Sequence, residues 1–199
     1  MNESKEKYIY LDSNILVDCY LDKDYLELLK SLKSKYNISY IISYFVIYEI
    51  IFVLLKNRIA ECLIKEKGYS IEKIIHKWRY PHAFYKDIKE DIIMKISEEI
   101  TYKIDNIFRE LNLYLLADFE KEEWKEMIEN IFLSFPYYGI HMEDAIHLTI
   151  ASYFDIDYFL TTDSEIIANK KLLKEEYGII ILEGLKDKIK NYMEKGLPK

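Results

Sequence analysis

The chain predicts an α/β protein built on a mostly parallel sheet, and three observations carry that reading. Short β-branched and aromatic runs alternate with longer segments whose apolar residues recur at helical spacing. Two of the runs, Tyr8-Ile9-Tyr10-Leu11 and Tyr158-Phe159-Leu160-Thr161-Thr162, end directly on an aspartate. With only five Gly and three Pro in 199 residues, a many-turned β architecture is excluded.

In chain order, the first strand stops at Asp12-Ser13-Asn14, and Ile15, Leu16, Cys19 and Tyr20 begin a helix with Asp12 or Ser13 as N-cap. A second amphipathic helix covers 24–34, where Tyr25, Leu28, Leu29 and Leu32 share a face. A strand is expected over 38–43. From Tyr44 to about Lys67 the pattern is one long helix, apolar nearly all round at its start, which places that part centrally. Ile71, Ile74, Ile75 and Trp78 stripe a further helix that Pro81 ends. Ile88, Ile92, Ile96, Ile100, Ile104, Ile107 and Leu111 form a longer seam, read as core or as part of a dimer contact. Leu113 to Ala117 reads as a strand, 120–132 as a helix and 135–139 as a loop. The remainder is a helix over 142–154, the strand at 158–162, a helix over 164–176, a strand at 179–182 and a charged tail helix. The expectation is one domain spanning 1–199, with helices on both faces of the sheet and a helical insertion at about 57–111.

Half of the residues are hydrophobic, which is enough for a full core and excludes wholesale disorder. Cys19 and Cys62 stand far apart, so neither a disulfide framework nor a thiolate zinc site is expected. The N-terminus lacks the apolar centre of a signal peptide, and the most apolar stretch, Ile41 to Leu55, is too short to span a membrane. The protein is therefore expected in the cytoplasm. A formal charge of −7 argues at first against a nucleic-acid partner, because phosphates usually meet a basic surface.

Four carboxylates alter that view. Asp12 and Asp163 sit at strand ends, where open α/β sheets bind ligands, with Ser13, Asn14, Thr161 and Thr162 as hydroxyl or amide neighbours. Each also suits a plain helix cap. Glu49 lies inside an apolar run with no basic residue before Lys56, and a buried carboxylate asks for a partner, a proton or a metal. Its alternatives are a distant salt bridge or a stem that reaches the surface. Asp144 opens the helix Met142 to Ala151, where acidic residues favour the helix dipole. His147, one turn on, reads more readily as a structural residue. Together the four acids suit one or two hard divalent cations, Mg2+ or Mn2+, and metal-activated water for phosphodiester hydrolysis.

These motifs resemble the PIN domain, a family of metal-dependent nucleases that includes the toxins of many toxin–antitoxin pairs. The resemblance rests on Tyr8-Ile9-Tyr10-Leu11-Asp12-Ser13-Asn14-Ile15-Leu16, Tyr48-Glu49, Glu143-Asp144-Ala145-Ile146-His147-Leu148-Thr149-Ile150-Ala151 and Phe159-Leu160-Thr161-Thr162-Asp163-Ser164-Glu165, in that order. It implies a three-layer α/β/α PIN-like fold and a metal site at Asp12, Glu49, Asp144 and Asp163, assisted by Ser13, Asn14, Thr161 and Thr162. It further implies Mg2+- or Mn2+-dependent endoribonuclease activity leaving a 5′-phosphate, an antitoxin partner and a homodimer. The long helical insertion departs from compact toxin-type members and puts the usual partner and substrate in question.

Charge is also unevenly spread. Seven basic residues stand against three acidic between Lys65 and Lys89, interleaved with aromatics, whereas Glu90 to Glu129 carries twelve acidic against five basic. Lys73, Lys77 and Arg79 are thus candidate RNA contacts, against the plainer reading of solvated helix faces. Two other classes compete with the nuclease. One is a non-catalytic PIN-like module that binds RNA or protein. The other is a phosphotransferase, whose D-x-D pattern is broken here by Asn14.

Overall fold

Ile9, Tyr10 and Leu11 are wholly buried, as a strand covered on both faces requires, and the strand they form is the centre of the sheet. The computed structural model describes residues 6–78, 87–116, 125 and 139–198, without the side chains of 77 and 78. Contacts divide the chain into two compact units, Met1–Ile47 with Ile107–Lys199, and Tyr48–Asn106.

The first unit is an α/β fold around an all-parallel five-stranded sheet flanked by helices. Its strands are β1 (Lys7–Leu11), β2 (Ile38–Ile42), β3 (Tyr114–Leu115), β4 (Tyr158–Thr161) and β5 (Ile180–Glu183), in the order β3-β2-β1-β4-β5. From β1 the chain winds outward through β2 to β3, then returns to place β4 on the other side of β1. Right-handed crossovers in two opposite directions put helices on opposite faces of one sheet. They also leave a switch point between β1 and β4, the place where such sheets bind ligands. Register fixes what meets there: Leu11 pairs with Leu160, so Asp12, which follows β1, and Thr161, the last residue of β4, lie side by side.

Helices α1 (Ser13–Leu21) and α2 (Lys23–Tyr36) follow β1. Asp12 caps α1, and Asp22 caps α2 by accepting the amide protons of Asp24 and Tyr25. Tyr25, Leu26, Leu29 and Leu32 are the buried face of α2. The helix α3 (Tyr44–Lys67) begins in the first unit and continues into the second. Within the second unit lie the rest of α3, α4 (Ile71–Trp78) and most of α5 (Glu90–Leu111). Its core gathers Ile59, Ala60, Leu63, Ile74 and Ile88, with Ile92, Ile93 and Ile96 packed against it. Ile100, Ile104, Ile107 and Leu111 continue the seam as buried residues, so those positions are interior.

After β3 the described chain resumes at Gly139 and enters α6 (Met142–Tyr153), then α7 (Ser164–Ala168), α8 (Lys170–Tyr177) and α9 (Lys186–Lys195). The helix expected over 120–132 and the loop over 135–138 lie outside the described residues. The single helix expected over 164–176 is two. Asn169 separates them, its side-chain amide donating to the Glu165 carbonyl at 2.9 Å, because short amide side chains compete with the backbone ladder. The start of α3 also departs from expectation. Val46, Ile50 and Leu54 are buried at four-residue spacing, while Tyr44, Tyr48, Ile51, Phe52 and Val53 are exposed, so the packed stripe is narrow. No helix among the described residues is long and apolar enough to cross a membrane.

Candidate metal centre

The site grows from the carboxyl ends of β1 and β4. Asp12 is 2% exposed, and its carboxylate is held from three directions. The Ser13 amide donates to Oδ1 at 2.7 Å, Asn14 Nδ2 donates to Oδ2 at 2.8 Å, and Thr161 Oγ1 donates to Oδ2 at 2.6 Å. A buried carboxylate in so many bonds is oriented as well as satisfied. Asp12 is therefore a helix cap whose carboxylate is also fixed from the neighbouring strand.

Thr161, itself wholly buried, ties the two strand ends together. Its Oγ1 accepts from the Asp163 amide at 2.9 Å and from Asn14 Nδ2 at 3.2 Å. Asn14 completes the link by accepting the Thr162 amide on Oδ1 at 3.2 Å. Ser13, Asn14, Thr161 and Thr162 thus shape the site through the backbone and through Asp12.

His147 faces inward from α6, whose small Ala145 and Ala151 are both wholly buried. Its ring is fixed by the Tyr10 hydroxyl, 2.9 Å from Nδ1, and that hydroxyl lies 2.7 Å from Ser43 Oγ. Tyr10 is held in turn by stacking on Phe159, with centroids 5.3 Å apart. A histidine oriented through one nitrogen by a polar neighbour presents the other as a ligand.

Glu49 is half-buried on α3, at the second position beyond the division between the units. Within the first unit, one ligand atom each of Asp12 and His147 lies within 4.8 Å of the other, a pair that could lend ligands to a metal ion. Sequence reasoning paired Asp12 with Glu49 but treated His147 as structural. A lone His among apolar residues carries no signal of its own.

The other two acids stand outside that pair. Asp144 is half-buried in the first turn of α6. Asp163 caps α7, its Oδ1 accepting the amides of Glu165 at 2.7 Å and Ile166 at 3.0 Å, which leaves Oδ2 as the oxygen it can lend. Of the candidate RNA contacts, Lys73 is exposed with Nζ 3.5 Å from the Tyr69 ring centroid. The Lys77 side chain and Arg79 lie outside the described residues.

Carboxylate oxygen and imidazole nitrogen are both donors that a metal ion can accept. Comparison with protein-family models, curated proteins and solved structures found no significant match to this chain.

Proposed function

We infer that the chain is a divalent-metal-dependent nuclease acting on RNA, with Asp12 and His147 as ligands and Glu49, from the sequence motifs alone, as a further one. The observation that carries this reading is the approach of Asp12 and His147 beside the switch point of the first unit's parallel sheet. The sequence motifs resembling the PIN family supply the RNA and the hydrolytic chemistry.

A cation bound by this set supplies an activated water and offsets the charge of a phosphodiester. The protein's own part is to hold the ligands ready. Thr161, Asn14 and the Ser13 amide fix both oxygens of Asp12, and Tyr10 fixes His147. Asp163, the cap of α7, and Asp144, in the first turn of α6, are the remaining carboxylates of the sequence motifs. The acidity that first argued against a nucleic-acid partner becomes, in part, the means of recruiting one through metal.

The test is cleavage of a single-stranded RNA with Mn2+ by the wild-type chain and by Asp12→Asn, alongside calorimetric titration of Mn2+ into both. Cleavage and Mn2+ binding by the wild type, both lost in D12N, are the expected results. Equal cleavage by the two proteins would remove Asp12 from the mechanism. Absence of Mn2+ binding would favour a non-catalytic module.

A further inference from the structure

A separate recess lies at the same edge of the sheet, formed entirely by residues of the first unit. Its volume is about 430 Å3, within the usual size of small-ligand sites. Thr162 and Gly184, the residues that directly follow β4 and β5, line it together with Asp18, Asp22, Tyr25 and Lys186. Its apolar walls are Leu21, 70% exposed, and Leu185, 49% exposed.

Nearly all the polar groups here are already committed. The Tyr25 hydroxyl donates to the Gly184 carbonyl at 2.6 Å. Lys186 Nζ pairs with Asp22 Oδ2 at 2.5 Å, and Asp22 Oδ1 accepts two backbone amides. Asp18 is the exception: it is half-buried, and among the described residues no hydrogen bond or ion pair reaches its carboxylate. Burial, then the charge of Asp22, push its pKa up, and Lys186 opposes them. Two carboxylates against one paired ammonium disfavour an anion. They favour a ligand that brings N–H donors.

We propose that this recess receives a nucleobase of the strand held at the metal centre, and that the Asp18 carboxylate reads guanine through its adjacent ring and amino N–H groups. The proposal rests on the nuclease reading above. Thr162 joins the two places, since its amide donates to Asn14 beside Asp12 while the residue itself lines the recess. The two leucines offer apolar contact to the faces of a flat ring. An ionised carboxylate only accepts, and it accepts best from two neighbouring donors. Guanine alone offers that pair. Uracil places one N–H between two carbonyls, the adenine amino group lies between two ring acceptors, and the cytosine amino group has a ring acceptor on one side and a C–H on the other.

The experiment titrates GMP and UMP, which share their phosphate, into the intact chain in EDTA. GMP is expected to bind roughly tenfold or more tightly than UMP, the discrimination typical of a bidentate base contact. Asp18→Asn should bring GMP down to the level of UMP and leave UMP unchanged. Leu185→Ser, at an exposed position, should weaken both nucleotides alike. Equal affinities, no binding of either, or an unchanged GMP preference in D18N would overturn the proposal, as would binding of a simple guanidinium compound without GMP. The titration contains neither metal nor cleavage, so its failure is distinct from a failure of the D12N comparison.

Discussion

Thr161 donates a 2.6 Å hydrogen bond to Asp12 Oδ2 across 149 positions of sequence, joining the ends of the two strands that flank the switch point. Both residues are buried, so the bond anchors the carboxylate on which the proposed metal site depends.

Thr161→Val keeps the shape of the side chain and removes the donor. One buried carboxylate oxygen loses a partner, a loss worth about 1–3 kcal/mol. The urea midpoint should fall with an unchanged slope, and Thr161→Ser should recover most of the loss. A midpoint equal to that of wild type would show that Asn14 alone suffices.

Tyr10→Phe preserves the ring that stacks on Phe159 and deletes only the hydroxyl between His147 and Ser43. If His147 is a ligand, loss of its orienting partner should weaken Mn2+ binding by roughly 10–100-fold. Calorimetry checks this directly. Unchanged affinity would make the Tyr10–His147 contact a packing feature only.

Asp18 predicts a pH signature. Its folded pKa is raised above the ordinary value of 3.8, so between those two values the folded chain holds more of this proton than the unfolded chain. Stability from this group is therefore present below 3.8 and declines as pH rises through the raised folded value. Asp18→Asn removes the cost of the half-buried charge. The variant should be at least as stable as wild type at pH 7, with a shallower decline across the same window. A variant less stable at pH 7 would show that Asp18 is satisfied in a way that its burial and charge neighbours do not indicate.

Gly184 follows β5 where no side chain fits. A Cβ there would collide with Ile15 Cδ1 and press on Thr162 Cγ2 and the Tyr25 hydroxyl, both at 3.1 Å. Gly184→Ala should cost about 1–3 kcal/mol through overpacking, read as a lower thermal midpoint. An unchanged midpoint would mean that Ile15 moves aside freely.

Much of the fold was legible in the chain because its signals are local. Tyr8 to Leu11 and Tyr158 to Thr162 announce strands by composition, and the structure has them at Lys7–Leu11 and Tyr158–Thr161. Asp12 was visible as the polar residue that ends a buried strand. Asp163 is the helix cap that its position also allowed. The exposed start of α3 was not legible: a run of apolar residues shows that a helix can be buried, not which of its sides will be.

By itself, then, the sequence determined the order of strands and helices and the aspartates at the strand ends, since side-chain periodicity and capping act over a few residues. Only the tertiary structure decided that β4 returns beside β1, that Thr161 grips Asp12, and that His147 comes near Asp12. Those choices rest on pairing and packing between segments more than a hundred residues apart, where no local pattern records which partner will be met.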